Sequence, residues 1–193
     1  MIHFTSDQHF GHENIIKHTN RPFRTVEEMD RYMVRAWNSV VRKNDIVYHL
    51  GDISHKRCDA DRANDLVAQC NGIKRLIVGN HETDGDVDYS KTFQERVKLD
   101  TALFDWVNEG YHETMIDGVL IIMSHYALET WHDMSKKSIQ LHGHSHGKLK
   151  PKTRRLDVGV DTHDFKPWSW DQIKVRFKIS TGKAPVMQQK DLF

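Results

Sequence analysis

Ile2-His3-Phe4-Thr5-Ser6-Asp7-Gln8-His9-Phe10-Gly11-His12 opens the chain after Met1, and its reading decides the fold. Ile2 to Phe4 reads as a short buried strand. It runs into a loop, Ser6 to Gly11, that carries Asp7 and His9. The same event recurs downstream. Asp45 to Leu50 reads as a strand that stops at Gly51-Asp52, and Lys74 to Val78 as one that stops at Gly79-Asn80-His81. Val119 to Ser124 ends at His125, and Ser138 to Leu141 runs into His142-Gly143-His144-Ser145-His146. In layered α/β folds ligands gather outside the carboxyl ends of strands, so distant phrases can deliver side chains to one rim.

The set collected this way is Asp7, His9, Asp52, Asn80, His125, His144 and His146. Each is a hard or borderline metal ligand and none is a cysteine. Asp7 and His9 are two apart, as are His144 and His146, a spacing that puts both members of a pair on one side of extended backbone. Glycine precedes Asp52, Asn80 and His144, where it permits a tight turn or close backbone approach. No single phrase decides the matter: Gly-Asp is a common turn pair, and a histidine-rich loop could imitate Gly-His-Ser-His. The ordered recurrence at strand ends carries the argument.

Working outward, Glu13 to Lys17 reads as a short helix. Thr25-Val26-Glu27-Glu28 reads as a capping box opening a helix to about Val41, with Met29, Tyr32, Met33, Ala36, Trp37 and Val40 facing the core. A helix is expected over Asp59 to Gln69. Thr83 to Gly110 shows little periodicity beyond a short helix near Phe93 to Lys98. Tyr111 to Ser124 is a hairpin about Asp117-Gly118, a pair that suits a primed turn. Leu156 to Val160 reads as a strand, and Ser169-Trp170-Asp171-Gln172 as a second capping box opening a helix of about ten residues. A single domain over 1–180 and a loose tail over 181–193 are expected.

The 193 residues suffice for one domain with a sizeable core, and 38% hydrophobic with 28% charged residues is a globular balance. No apolar run reaches membrane-span length, and the start reads as a strand rather than a signal peptide, so a cytoplasmic protein without a membrane partner is expected. A net charge of +1 gives no strong overall field for nucleic acid. Cys58 and Cys70, without a Cys-x-x-Cys spacing, read as two reduced thiols. The 14 histidines are the compositional excess, as an imidazole and carboxylate metal site requires.

The five phrases in order, with Thr5-Ser6-Asp7-Gln8-His9-Phe10-Gly11-His12-Glu13-Asn14-Ile15-Ile16 at their head, resemble the calcineurin-like metallophosphoesterases, and in particular a compact bacterial and phage-type branch. The resemblance runs from His3 to about Asp164. It implies an α/β fold of four layers, α/β/β/α, with two mixed sheets face to face and helices outside. It implies two divalent ions, one held by Asp7, His9, Asp52 and His146, the other by Asp52, Asn80, His125 and His144, with Asp52 bridging. Manganese is the first expectation; iron, zinc, cobalt and nickel suit the same donors. The implied reaction is hydrolysis of phosphate esters by in-line attack of a metal-bridging hydroxide, with Asp52 and His81 as catalytic residues and His81 assisting the leaving group. This chain reads Gly79-Asn80-His81-Glu82 where the family commonly has aspartate last, which puts the contact between His81 and the acid in question.

His12, His55 and Arg57 lie close enough in sequence to ligands to be candidate phosphate contacts, with Arg21, Arg24 and Lys56 as further cations. His49 and His142 read as core or supporting residues. Lys148 to Arg155 holds five basic residues, either a basic lip for a nucleotide or nucleic-acid end or an ordinary solvated turn. Trp131 is either a base-stacking aromatic or a buried one. Phosphodiesters are favoured over monoesters, because the short gaps leave no room for a cap domain. The competing readings are a catalytically idle scaffold for a protein partner and a nucleic-acid binder with a structural metal. Sequence leaves the oligomeric state and the natural substrate open.

Overall fold

Strand polarity follows from burial on both faces. In the computed structural model, which describes residues 1–55, 57–82 and 99–179, β1 (Ile2–Thr5), β2 (Ile46–His49), β3 (Ile73–Val78) and β4 (Trp106–Glu109) run parallel. Two-residue β9 (Trp168–Ser169) closes the sheet antiparallel to β1, in the order β4-β3-β2-β1-β9. Val47, Leu76 and Val78 point to one face, Phe4, Tyr48 and Ile77 to the other, so these strands are nearly continuously apolar.

The second sheet, order β5-β6-β7-β8, comprises β5 (Tyr111–Ile116), β6 (Val119–Ser124), β7 (Ile139–His142) and β8 (Arg155–Asp157). Its hairpin pairs Tyr111 with Ser124 through Ile116 with Val119. The turn residues Asp117 and Gly118 both have positive φ, as the primed turn demands. β6, β7 and β8 are parallel, so both sheets are mixed.

Helices α1 (Glu13–His18), α2 (Val26–Val40) and α3 (Ala60–Gln69) share a hydrophobic cluster with one face of the first sheet. Its other face shares a second cluster with Ile121, Met123, Ile139, Leu141 and Leu156 of the second sheet and with Trp170 and Ile173 of α4 (Trp170–Phe177). Phe4, fully buried there, packs against the rings of Tyr48 and Trp170; truncation to Ala costs about 3–5 kcal/mol. Ile122 and Gln140 point away from this cluster, and Gln140 donates to Ser124 Oγ and to Tyr126 O in the loop that follows β6.

The box at Ser169 and Gln172 closes both ways. That at Thr25 closes halfway: Thr25 Oγ1 accepts from Glu28 N, but the Glu28 carboxylate takes the N–H of Arg24 instead of Thr25. β4 and β9 were not expected. Trp106-Val107-Asn108-Glu109 has no apolar alternation to mark it, and β9 is hidden under the cap of α4. The strand expected over Leu156 to Val160 stops at Asp157, where the chain turns through Gly159 into a 3-10 turn, Val160–Thr162. The helix expected near Phe93 to Lys98, Lys56 and the tail 181–193 lie outside the described residues. Cys58 and Cys70 are free thiols. Among the described residues no helix is long and apolar enough to cross a membrane.

Candidate metal centre

β1, β2, β3, β6 and β7 each release the chain at the same rim, and the loops that follow are tied together. Asp7 N donates to Gly51 O, His9 N to Asp52 O and Phe10 N to Ile53 O, each at 3.0 Å, so the loops after β1 and β2 run zipped. Gly143 N donates to His125 O, tying the loops after β7 and β6, and Val160 N to Ser6 O, which fixes the second sheet's loops against the first's, both at 3.0 Å. His144 N reaches both Asp7 oxygens at 3.0 Å.

Three groups of ligand atoms result, each with all atoms within 4.8 Å of one another: Asp7, His9 and His146; His9, Asp52 and His81; Asp52, His125 and His144. Asn80 joins through Oδ1, 3.1 Å from His125 Nε2. All seven expected ligands therefore meet, with His81 beside them.

The i, i+2 reasoning fails in its premise. Asp7, His9, Asp52, His144 and His146 are all left-handed, with φ between +48° and +65°, not extended. Aspartate and histidine tolerate this region better than most residues, and such conformers persist where surrounding contacts over-determine them. The glycines are needed as expected. A Cβ on Gly79 would strike Asp52 Oδ1, and one on Gly143 would strike Ser6 Oγ and Asp7 Oδ2.

The residues fit a cation. His9 Nε2 is buried without a hydrogen-bond partner, 3.5 Å from Asp52 Oδ2 and 4.0 Å from Asp7 Oδ1. His125 Nδ1 lies 2.8 Å from Leu50 O; a carbonyl can only accept, so Nδ1 carries the proton and Nε2 faces Asp52 Oδ2 at 3.4 Å. His146 Nδ1 donates to Asp161 Oδ2 at 2.7 Å and leaves its Nε2 for the cluster, the carboxylate–histidine arrangement that orients metal ligands.

Charge is finely opposed here. Burial pushes Asp7 up to about 6 against the pull of His125 and His146. Burial works against a charge on His125, but Asp52 and Asp7 overcome it and raise the ring to about 9. Burial also opposes ionisation of Asp52, yet His125 and His81 hold it below the usual carboxylate range. Burial, then Arg21 and the neighbouring imidazoles, keep His9 neutral, the form that ligates.

The supporting residues differ from expectation. Glu82, fully buried, accepts the backbone N–H groups of Asp52, Ile53 and Gly79, so both its oxygens clamp the loops after β2 and β3. Burial, then Asp52, push it up to about 7. Arg21 is no substrate cation: its buried guanidinium grips Asp161 twice at 2.8 Å and donates to Gln8 O and Asp7 O. Trp131 is buried and donates to Ser138 Oγ, so it offers no stacking face. In the basic stretch Lys148 donates to His18 O, Lys152 pairs with Glu129, Arg154 donates to Lys137 O and Arg155 to Leu128 O and Lys150 O. His49 is buried, bonded to Gln8 Oε1 and stacked on Trp37, and His142 is buried in β7, as expected.

His12 stacks on His55 at 3.8 Å between centroids, and His55 lies 4.9 Å from His81, so both reach the rim. Arg57 is exposed, and its guanidinium forms no hydrogen bond or ion pair among the described residues. Two residues escaped the sequence reading. Asp161 lies in Val160-Asp161-Thr162-His163, a phrase outside the five that the expected ligands share. Tyr126, 51% exposed, packs on the His144 ring at 4.7 Å and on the His125 ring at 5.1 Å; its position directly after His125 was the available signal.

No family model matches the chain. The Methanocaldococcus jannaschii protein MJ1445, described only as uncharacterized, is 31% identical over 179 residues, covering 89% of this chain and 88% of the relative. The gene 66 protein of Mycobacterium phage L5 is 28% identical, covering 82% and 85%. The crystal structure of AQ665 from Aquifex aeolicus, titled a protein of unknown function, superposes with a TM-score of 0.64 at 23% identity over 91% of this chain and 98% of its own, so the two share a fold. An archaeal phosphodiesterase matches at a TM-score of 0.42 and 15% identity and carries no argument.

Proposed function

The chain belongs to the family of the Methanocaldococcus jannaschii protein MJ1445, and we propose that it is a dinuclear metal-dependent phosphoesterase built on the four-layer metallophosphoesterase fold. The observation that carries this reading is the pair of three-residue groups, Asp7, His9, His146 and Asp52, His125, His144, gathered at the carboxyl ends of two mixed sheets. The first group with Asp52 would hold one divalent ion, and the second with Asn80 the other. Bound metal would supply positive charge for phosphoryl oxygens and acidify a water at neutral pH.

The protein's own groups do the rest. Asp52 stands between the two groups, its Oδ1 fixed by the backbone N–H of His81 at 2.9 Å. His81, one-fifth exposed, holds Nε2 3.9 Å from Asp52 Oδ2, where a proton on Nε2 can pass to a departing ester oxygen. The stacked His12 and His55 rings lie beside it as phosphate contacts. The exposed His144 and Tyr126 leave that side of the rim open, which favours diesters carrying a second ester group.

Metal-stripped protein reconstituted with manganese and assayed on bis-p-nitrophenyl phosphate and p-nitrophenyl phosphate tests the reading, with Asp52→Asn and His81→Ala alongside. Metal-dependent turnover of the diester that falls in both variants is expected. Metal uptake without turnover of either ester overturns it.

A further inference from the structure

Beside the metal loop lies a cavity of about 300 Å³ that none of the seven candidate ligands lines. It adjoins the centre through Gly147 and Asp157. The Asp157 carboxylate accepts from Ser145 Oγ and Gly147 N and so holds the turn between His144 and His146, and its other oxygen takes Gly159 N.

Beside His142 and Thr162, the rest of the lining is basic and apolar. Lys150, Lys152, Arg155 and Arg176 face the cavity, with Asp157 as the single carboxylate, its oxygens already occupied by donors. Lys152 is neutralised by Glu129, and Arg155 is spent on the carbonyls of Leu128 and Lys150. Lys150, after β7, and Arg176, on α4, come from separate elements, and their side-chain nitrogens form no ion pair or hydrogen bond among the described residues. Trp168 also lines the cavity, and its Nε1 is buried without an acceptor. The Trp168 ring thus shares the cavity with two uncommitted cations. Leu149 and Leu156 complete an apolar wall.

We propose that this cavity is a second binding site, for a small organic phosphate such as a nucleoside monophosphate. Its phosphate would be met by Lys150 and Arg176, and its apolar body would lie against Leu149, Leu156 and Trp168. The volume is at the lower end of small-molecule sites, which suits one nucleotide. An extended polyanion would need a continuous basic track. The track the sequence suggested is broken, because Lys148, Lys152 and Arg154 are tied to His18 O, Glu129 and Lys137 O.

The test uses metal-free full-length protein with ¹⁵N-labelled tryptophan, titrated at low salt with adenosine 5′-monophosphate and separately with inorganic phosphate. A saturable shift of the Trp168 indole resonance is expected, with the other tryptophans as internal controls, and the nucleotide should bind at least tenfold tighter than inorganic phosphate. Lys150→Gln with Arg176→Gln, both exposed, should weaken nucleotide binding at least tenfold and leave manganese uptake and Tm unchanged. An unmoved Trp168, equal binding of phosphate and nucleotide, or a double variant that binds like the parent overturns the proposal. None of these readouts uses turnover, so the phosphoesterase reading stands or falls separately.

Discussion

His144 and His146 are two residues apart in one loop and live in different surroundings. His146 is half-buried, its ring stacked on His9 at 5.2 Å and its Nδ1 fixed by Asp161, which Arg21 grips in turn. His144 is exposed, packed only against the rings of Tyr126 and His125, and no hydrogen bond holds its ring nitrogens among the described residues. The inner group is thus held by its own hydrogen bonds and ring contacts, and the outer group is left adjustable on its exposed side. A rigid inner shell with an oriented histidine binds tightly, whereas the open side can rearrange around a ligand.

The largest effect should come from the residue that belongs to both regions. Asp52→Asn is expected to lower kcat on the diester about 10³-fold, roughly 4 kcal/mol of barrier. Turnover within a few-fold of the parent would mean that the inner group works alone. Next, Asp161→Asn should weaken manganese binding at the inner position by about 10–100-fold. It should also lower Tm, because it strips a buried Arg21 of its counter-charge, a change costing about 3–5 kcal/mol. His144→Ala should empty the outer position while changing stability by less than about 0.5 kcal/mol. Calorimetric manganese titrations of both variants decide the matter, and equal losses at both positions would erase the contrast. Smaller still, Tyr126→Ala should raise KM for an aromatic diester by about fivefold, on the order of 1 kcal/mol of stacking, with kcat unchanged. A fall in kcat at constant KM would instead make Tyr126 a support for His144.

Why the seven candidate ligands could be read and the buttress of His146 could not is a matter of range. Asp7, His9, Asp52, Asn80, His125, His144 and His146 each follow a strand, and strand ends are visible in local apolar pattern. The hairpin at Asp117-Gly118 and the cap at Ser169 were legible for the same reason, since each is decided within a few residues. Asp161 acts on Arg21, 140 positions away, and nothing local announces that bond. Arg21 itself reads as a further cation for phosphate, because burial of a guanidinium depends on what folds over it. β4 was missed because its pairing with β3, not its own sequence, makes it a strand. The left-handed ligand loops are the instructive failure. The ligand pairs do meet, but through positive-φ residues held by cross-loop hydrogen bonds, a cause that a period-two argument cannot supply.

The outer side has an anchor built on an ionisable pair, and it sets the smallest expected effect. The loop carrying Tyr126 is pinned at its far end by His132, whose Nδ1 lies 2.9 Å from Glu113 Oε2 on the neighbouring hairpin. Glu113, with Asp133 adding to it, raises the His132 pKa above 6.5; Tyr111 and His132 lower that of Glu113. The histidine's contribution is fully present below about 6.5 and is lost as pH rises through its raised folded value. That of Glu113 is present above its unfolded value and is lost as pH falls through its depressed one. The pin is therefore strongest between the depressed Glu113 value and the raised His132 value, and it loosens as pH rises through the latter. An NMR titration of the His132 ring should give a midpoint above 6.5 that drops towards it in Glu113→Gln. With the ring on the exposed surface, the global Tm should hardly respond. If Tyr126 binds substrate from a pinned loop, KM for the aromatic diester in Glu113→Gln should lose part of its pH dependence. Unchanged KM with a shifted His132 midpoint would mean that Tyr126 is held by His125 and His144 alone, and that the outer side is stiffer than its exposure suggests.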